Sequence, residues 1–223
     1  MPLPSTIAID GRGATGKSTV GRILARKLGY FFVDTGEMYR ALAWLALHRK
    51  IDLTDEAMLS KLATEARIEV ARQDGSGYNS VSVSGYDVTV EIYTPAVEAA
   101  VSQVAKVAGV REVLVAEQRR MAEEGKMVMS GRDIGTVVLP QAGLKVFLVA
   151  SPEERARRRH AELGQKTKLP YEDILAELEK RDEIDSQRSL SPLRPASDAK
   201  TIDTEGLTPE EVADRIIDLA GGS

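Results

Sequence analysis

Five groups of residues in this 223-residue chain have types and spacings suited to anion chemistry. The first is Gly11-Arg12-Gly13-Ala14-Thr15-Gly16-Lys17-Ser18, which fits G-x-x-x-x-G-K-[ST], a phosphate-binding loop. Glycines let the backbone wrap closely around phosphate, and amides at a helix start point at the anion. Lys17 would carry charge to the outer phosphates of a nucleoside triphosphate, with the Ser18 hydroxyl on Mg²⁺ and Thr19 beside it. The second group is Asp34-Thr35-Gly36 with Tyr39-Arg40; Arg40 could clamp an acceptor phosphate bidentately. Alone it reads equally well as a surface arginine, and the phosphate loop favours the functional reading.

The third group, Gly131-Arg132-Asp133-Ile134-Gly135-Thr136, sets an Arg–Asp pair between two glycines, a shaped loop or a structural ion pair. The fourth is the basic run Arg155, Arg157, Arg158, Arg159. Such a run is usually a solvated face, but in a mobile lid it could bring arginines onto a transferring phosphoryl group. The fifth is Arg181, Asp185 and Arg188, which share a helix face at spacings of four and three. Two arginines there can hold a phosphate while the aspartate takes a hydroxyl, or all three can pair on the surface.

Other chemistries find little support. There is no cysteine, so disulfides, thiolate nucleophiles and cysteine–zinc sites are excluded. His48 and His160 have no metal-ligand spacing, and no Ser–His–Asp arrangement is legible. A net charge of −4 argues against long nucleic acid or an anionic membrane as partner. No apolar run is long enough to span a bilayer, and Met1–Thr6 lacks the basic region of a signal peptide.

The elements that must position these groups alternate. Ile7–Ile9 reads as a buried strand, and the helix from Lys17 sets Val20, Ile23, Leu24 and Leu28 on one face, with Gly29 as its stop. Phe31–Val33 is a second strand, Met38–His48 a helix, and Thr54-Asp55-Glu56 opens another running to about Ala66. From Arg67 to Glu91, Ile68, Val70, Val81, Val83, Val88 and Val90 alternate with polar residues around the turn signals Asp74–Gly77 and Ser84-Gly85. This is a small antiparallel sheet, either a surface decoration or a lobe covering substrate. Thr94-Pro95 starts a helix, and a second runs from a break at Val107–Val110 to about Glu124. Strands follow at Met127–Met129, Lys145–Ala150 and Thr201–Asp203, and Tyr171–Ser186 is helical. Capping boxes stand at Ser151-Pro152-Glu153-Glu154 and Thr208-Pro209-Glu210-Glu211. The pattern predicts an α/β fold: a five-stranded parallel sheet of the P-loop NTPase type, with helices on both faces.

This set, in this order, resembles the bacterial cytidylate (CMP) kinases over nearly the whole chain. The residues that carry the resemblance are Asp34–Arg40, the sheet insertion, Ser102–Ala105 with Val110-Arg111, Gly131–Pro140, and Arg181-Asp182 through Arg188. The resemblance implies transfer of the γ-phosphoryl group of ATP to CMP or dCMP, with Mg²⁺. It implies that Ser102, Arg111 and Asp133 read the cytosine edge, and that Thr35, Arg40, Arg132, Arg181 and Arg188 hold the CMP phosphate beside Tyr39. Asp185 would take the sugar hydroxyls, and Arg155 and Arg158 would act from a lid at about 151–170. The 67–91 insertion would belong to the monophosphate-binding region of a single kinase domain, 1–223.

The sequence departs from the family pattern at three places. Arg12 stands for the usual proline, Ala14 for a glycine, with Gly13 just before it, and Ser130 for a common acidic residue. The departures in the loop can shift its left-handed positions, and with Ser130 either the metal-holding work falls to Asp34, beside Ser18, or metal affinity is lower. The rival readings are a kinase for UMP, AMP, dTMP or a small metabolite such as shikimate, a GTP-hydrolysing switch, and a catalytically inert ATP-binding relic. A guanine-specific Asn-Lys-x-Asp run is absent. A cytoplasmic monomer is expected.

Overall fold

The structure, a computed structural model, describes residues 2–72, 78–164, 169–187 and 191–221. These fall into two compact units, 1–32 with 126–223, and 33–125.

The first unit is built on a parallel sheet. Its strands are β1 (Thr6–Gly11), β2 (Phe31–Asp34, which runs on into the second unit's residues), β6 (Met127–Gly131), β7 (Leu144–Val149) and β8 (Lys200–Asp203), in the order β2-β6-β1-β7-β8. Ile7 lies between Val128 and Leu144 in register. The middle of the central strand, Ile7-Ala8-Ile9, is apolar because both its faces are covered. Ile7, Ile9, Val128, Val146 and Leu148 pack with Val20 and Leu24 of α1 (Lys17–Leu28) and Val212 and Ile216 of α8 (Pro209–Gly221). On the opposite face Ala8, Met129 and Phe147 are equally buried. Gly29 ends α1 in the left-handed conformation, as expected. A smaller cluster joins Ala156 of α6 (Pro152–Leu163) to Ile174 and Leu178 of α7 (Tyr171–Ser186).

The two capping boxes close differently. Thr208 and Glu211 exchange both bonds, amide to side chain in each direction. At α6 only half forms: Ser151 Oγ accepts from the Glu154 amide, while Glu154 turns its carboxylate to Arg157 and Arg158. The Ser151 amide donates to Glu205 instead. Charge-assisted bonds to two arginines outcompete a single amide.

The second unit holds α2 (Thr35–His48), α3 (Glu56–Glu65), α4 (Pro95–Val104) and α5 (Ala108–Ala122) with a sheet of order β3-β4-β5. Its core gathers Met38, Leu42, Leu45, Leu59, Val81, Val83, Val101 and Leu114. Helix α2 starts three residues earlier than the apolar pattern suggests, because Asp34 caps it by accepting from the Gly36 amide. The antiparallel sheet consists of β3 (Ile68–Arg72), β4 (Asn79–Val83) and β5 (Tyr86–Asp87). Ser84 and Gly85 both have positive φ, at 50° and 86°, the two-residue turn that suits a twisted hairpin. The turn signal at Asp74–Gly77 lies outside the described residues. Strand β5 is shorter than the alternation through Val88 and Val90 implies. Asp87 accepts from the Thr89 amide and hydroxyl, and Thr89 Oγ1 in turn takes the Val81 amide. That local turn draws the chain off the ladder, burying Val88 and leaving Val90 exposed ahead of a 3₁₀ turn at Glu91–Tyr93.

Candidate active site

Strand β1 delivers the phosphate loop. At Gly11, φ is 151° and an added Cβ would sit 2.5 Å from the Leu148 carbonyl oxygen of β7, so the turn out of the sheet demands glycine. The loop then folds on itself: the Arg12 carbonyl accepts from Thr15 Oγ1 at 2.9 Å and from Lys17 Nζ at 2.6 Å. Gly16 precedes α1, whose first residues are Lys17 and Ser18. Ala14 itself holds φ 57° and Gly13 does not have positive φ. The backbone path is set by the closure onto Arg12, so Ala14 bears the strain.

The basic run on α6 lies against this loop. Arg155 has no exposed surface. Its Nη1 donates to the Gly13 carbonyl at 3.3 Å, and its Nη2 stands 2.7 Å from Asp182 Oδ2 of α7, an ion pair rather than a well-aligned hydrogen bond. Arg12 reaches the same Asp182 oxygen at 3.5 Å. Arg158 donates to Glu154 at 2.7 Å and to the Thr204 hydroxyl and carbonyl at 2.9 and 2.7 Å. Both arginines read as lid residues are therefore engaged within the first unit here. Arg157 and Arg159 pair with Glu154 and Glu162.

The third group forms one π-helical turn, Ile134–Val138, directly after Arg132 and Asp133. Arg132 Nε donates to Asp185 Oδ2 at 2.8 Å, so α7 and the strand end of β6 bring these two expected substrate groups together. Arg181 lies one turn before Asp185 on α7. Arg188 lies outside the described residues. Asp10, the last residue of β1 before the loop, accepts from the Ile134 and Gly135 amides at 2.7 Å each. Burial raises its pKa to about 6, against the lowering pull of those two amides; Asp133 raises it further and Lys17 lowers it.

In the second unit Arg40 is gripped by Glu98 of α4, with Nε 3.2 Å and Nη2 3.1 Å from Oε2. Burial would lower the Arg40 pKa, but Glu98 and then Asp34 outweigh it and the net direction is up. The guanidinium lies 5.8 Å over the Tyr93 ring, and Tyr93 donates its hydroxyl to Glu37 at 2.7 Å. Burial first, then Glu37, holds that phenol above its ordinary range. Thr35 and Tyr39 are buried on α2. Arg111, near the start of α5, stacks over Tyr39 and donates to the Ala105 carbonyl at the end of α4. Ser102 sits on the last turn of α4.

Metal-holding capacity is modest. Among the described residues no group of three His, Cys, Asp or Glu side chains could hold an ion. Ser18 and Asp34 each offer a hard oxygen, the donor type that suits Mg²⁺, which takes most of its ligands from substrate phosphates and water.

Sequence reasoning missed Asp10, Glu98, Glu37, Tyr93 and Asp182. Asp10 carried a signal, a lone carboxylate ending an apolar strand beside a phosphate loop. The Arg40–Glu98 pair carried none, since its members stand 58 residues apart.

The Cytidylate kinase family profile matches residues 7–221. The chain is 49% identical over 214 residues to a cytidylate kinase of Bacillus licheniformis, covering 96% of this chain and 94% of the relative. It is 51% identical over 214 residues to a cytidylate kinase of Desulforamulus reducens, covering 95% and 94%. A crystal structure of a protein from Eubacterium ventriosum aligns over 98% of both chains with a TM-score of 0.55 and 14% identity, a likeness of fold alone. The loop, the paired arginines and a match spanning both units agree: this chain belongs to the cytidylate kinase family.

Proposed function

We propose that this chain transfers the γ-phosphoryl group of ATP to CMP or dCMP, giving ADP and CDP or dCDP. The observation that carries the reading is a phosphate loop closed by Lys17, in a chain matched along both units by one family of kinases. ATP binds at Gly11–Thr19. Lys17 leaves the Arg12 carbonyl for the β- and γ-phosphates, and the loop amides and α1 dipole hold the anion. Ser18 and Asp34 are the protein's oxygen donors for Mg²⁺, which when bound neutralises charge on the β- and γ-phosphates.

The CMP phosphate is held by Arg40, Arg132, Arg181 and Arg188 with Thr35, while Tyr39 packs beneath the base-reading Arg111. Ser102, Arg111 and Asp133 read the cytosine edge, with the aspartate accepting from the exocyclic amine. Asp185 takes the sugar hydroxyls. The acceptor phosphate is already an anion at neutral pH, so transfer needs no dedicated base; positioning and positive charge do the rest. Arg158 would reach the transferring group from a lid at about 151–170, exchanging Glu154 for phosphate oxygens, while Arg155 stays on Asp182 beside the Gly13 carbonyl. A lid that closes excludes water that would hydrolyse ATP. The segment 67–91 belongs to the monophosphate-binding part of one kinase domain, and the protein works as a cytoplasmic monomer. No helix among the described residues is long and apolar enough to cross a membrane.

The test is the product. Incubation with Mg²⁺-ATP and CMP should give CDP and ADP in equal amounts. ADP without CDP would mean hydrolysis, and would favour the switch over the kinase.

A further inference from the structure

We propose that Asp10 is a positioning residue for acceptor recognition: its carboxylate holds the turn that aims Arg132 and Asp133. The inference rests on the acceptor reading above and deepens it. Its basis is geometry. Asp10 is 3% exposed and gives one oxygen to each of two successive amides, Oδ1 to Ile134 and Oδ2 to Gly135, both at 2.7 Å. These amides open the π-helical turn Ile134–Val138, directly after the two functional residues. A π turn is a poor local minimum, found in single turns often at functional sites, and needs outside support. Here a β1 side chain caps it across 124 and 125 residues of sequence.

Three charged groups face Asp10. Lys17 on α1 favours its charge, and Asp133 on the turn opposes it. On β7, the Lys145 stem passes beside Gly135, while its ammonium is held by Asp198 at 2.8 and 2.9 Å. Lys17 is also the residue that turns to ATP. Asp10 therefore stands between the phosphate loop that follows it and the turn that carries the acceptor-reading pair. A carboxylate buried against its own charge preference, with its folded pKa near 6, is retained here at a cost to stability. The raised pKa means the native state binds more protons between about pH 4 and 6, so this group makes stability fall as pH rises through that window.

Asp10→Asn tests the role. An asparagine accepts one amide through Oδ1 and sets its NH₂ against the other, donor facing donor. The variant should raise KM for CMP about tenfold and shrink the preference for CMP over UMP. KM for ATP should stay within about twofold, and the unfolding midpoint at pH 7 should be unchanged or higher. A purely structural role predicts the reverse pattern, lost stability with CMP selectivity intact, and that result overturns the proposal.

The wild-type protein offers a second arm that needs no variant. Hydrogen exchange at the Ile134 and Gly135 amides should accelerate as pH drops below about 6, after correction for the intrinsic pH dependence of exchange. Constant protection between pH 7 and 5 also overturns it. CMP's own phosphate titrates near pH 6, so pH–rate profiles are read as the ratio of wild type to variant. Absence of CMP turnover in the wild type would instead overturn the acceptor assignment, and the amide-exchange arm would then decide on Asp10 by itself.

Discussion

Each compact unit contains a guanidinium–carboxylate pair, and the two are built for different ends. Arg155 and Asp182 are almost entirely buried, and Arg155 also ties the Gly13 carbonyl of the phosphate loop. Arg40 and Glu98 retain 16% and 19% of their side-chain exposure, and the Tyr93 ring lies 5.8 Å from the guanidinium. The same ion chemistry gives a fixed strut in one place and an exchangeable latch in the other. The deciding quantity is desolvation: a fully buried pair cannot lose one partner without stranding a charge, whereas a pair that keeps some exposure can trade its partner for another anion.

The largest effect that could break this contrast is Asp182→Ala. It strands Arg155 and should lower unfolding free energy by about 3–5 kcal/mol, measured by denaturant titration. A loss below about 1 kcal/mol would make the strut no different from the latch. Next is Arg40→Ala. A charge-assisted contact to phosphate is worth about 1.5–3 kcal/mol, so kcat/KM for CMP should drop about 10- to 100-fold while stability changes little. Comparable losses in stability would move Arg40 into the structural class. Glu98→Gln sharpens the latch itself. Removing the competing charge should tighten CMP binding by up to about fivefold, the scale of a partly exposed pair, read by calorimetry. Weaker CMP binding would show that Glu98 orients Arg40 rather than competing for it. The smallest effect is Ala14→Gly beside the strut. Relief of the left-handed alanine, less the entropy of a glycine, should stabilise by up to about 1 kcal/mol. A destabilised variant would mean that the loop path is not strained at Ala14.

The contrast also explains what the sequence made legible. Strands, helices and the phosphate loop follow from periodicity, capping and a fixed motif. Their order along β1, α1 and β6 was therefore readable. Local side-chain competition was less readable: Thr89 and Asp87 cut β5 short, and Glu154 preferred two arginines to its own cap. Partnerships between distant residues were not readable at all. The four arginines of α6 looked alike in sequence, yet one is fully buried on Asp182 and its neighbour Arg157 is mostly exposed. Helical phase separates them, but which face meets α7 is a tertiary fact. Asp10 lies between these cases, since its position was suggestive while its partners, two backbone amides, leave no trace in side-chain pattern.

The most direct test of the central claim is ADP formation from Mg²⁺-ATP with CMP, dCMP, UMP, AMP, dTMP or no acceptor in separate reactions. The account predicts strong turnover with CMP and dCMP, weak turnover with the others and little without acceptor. Turnover that is equal across acceptors, or independent of them, would contradict it.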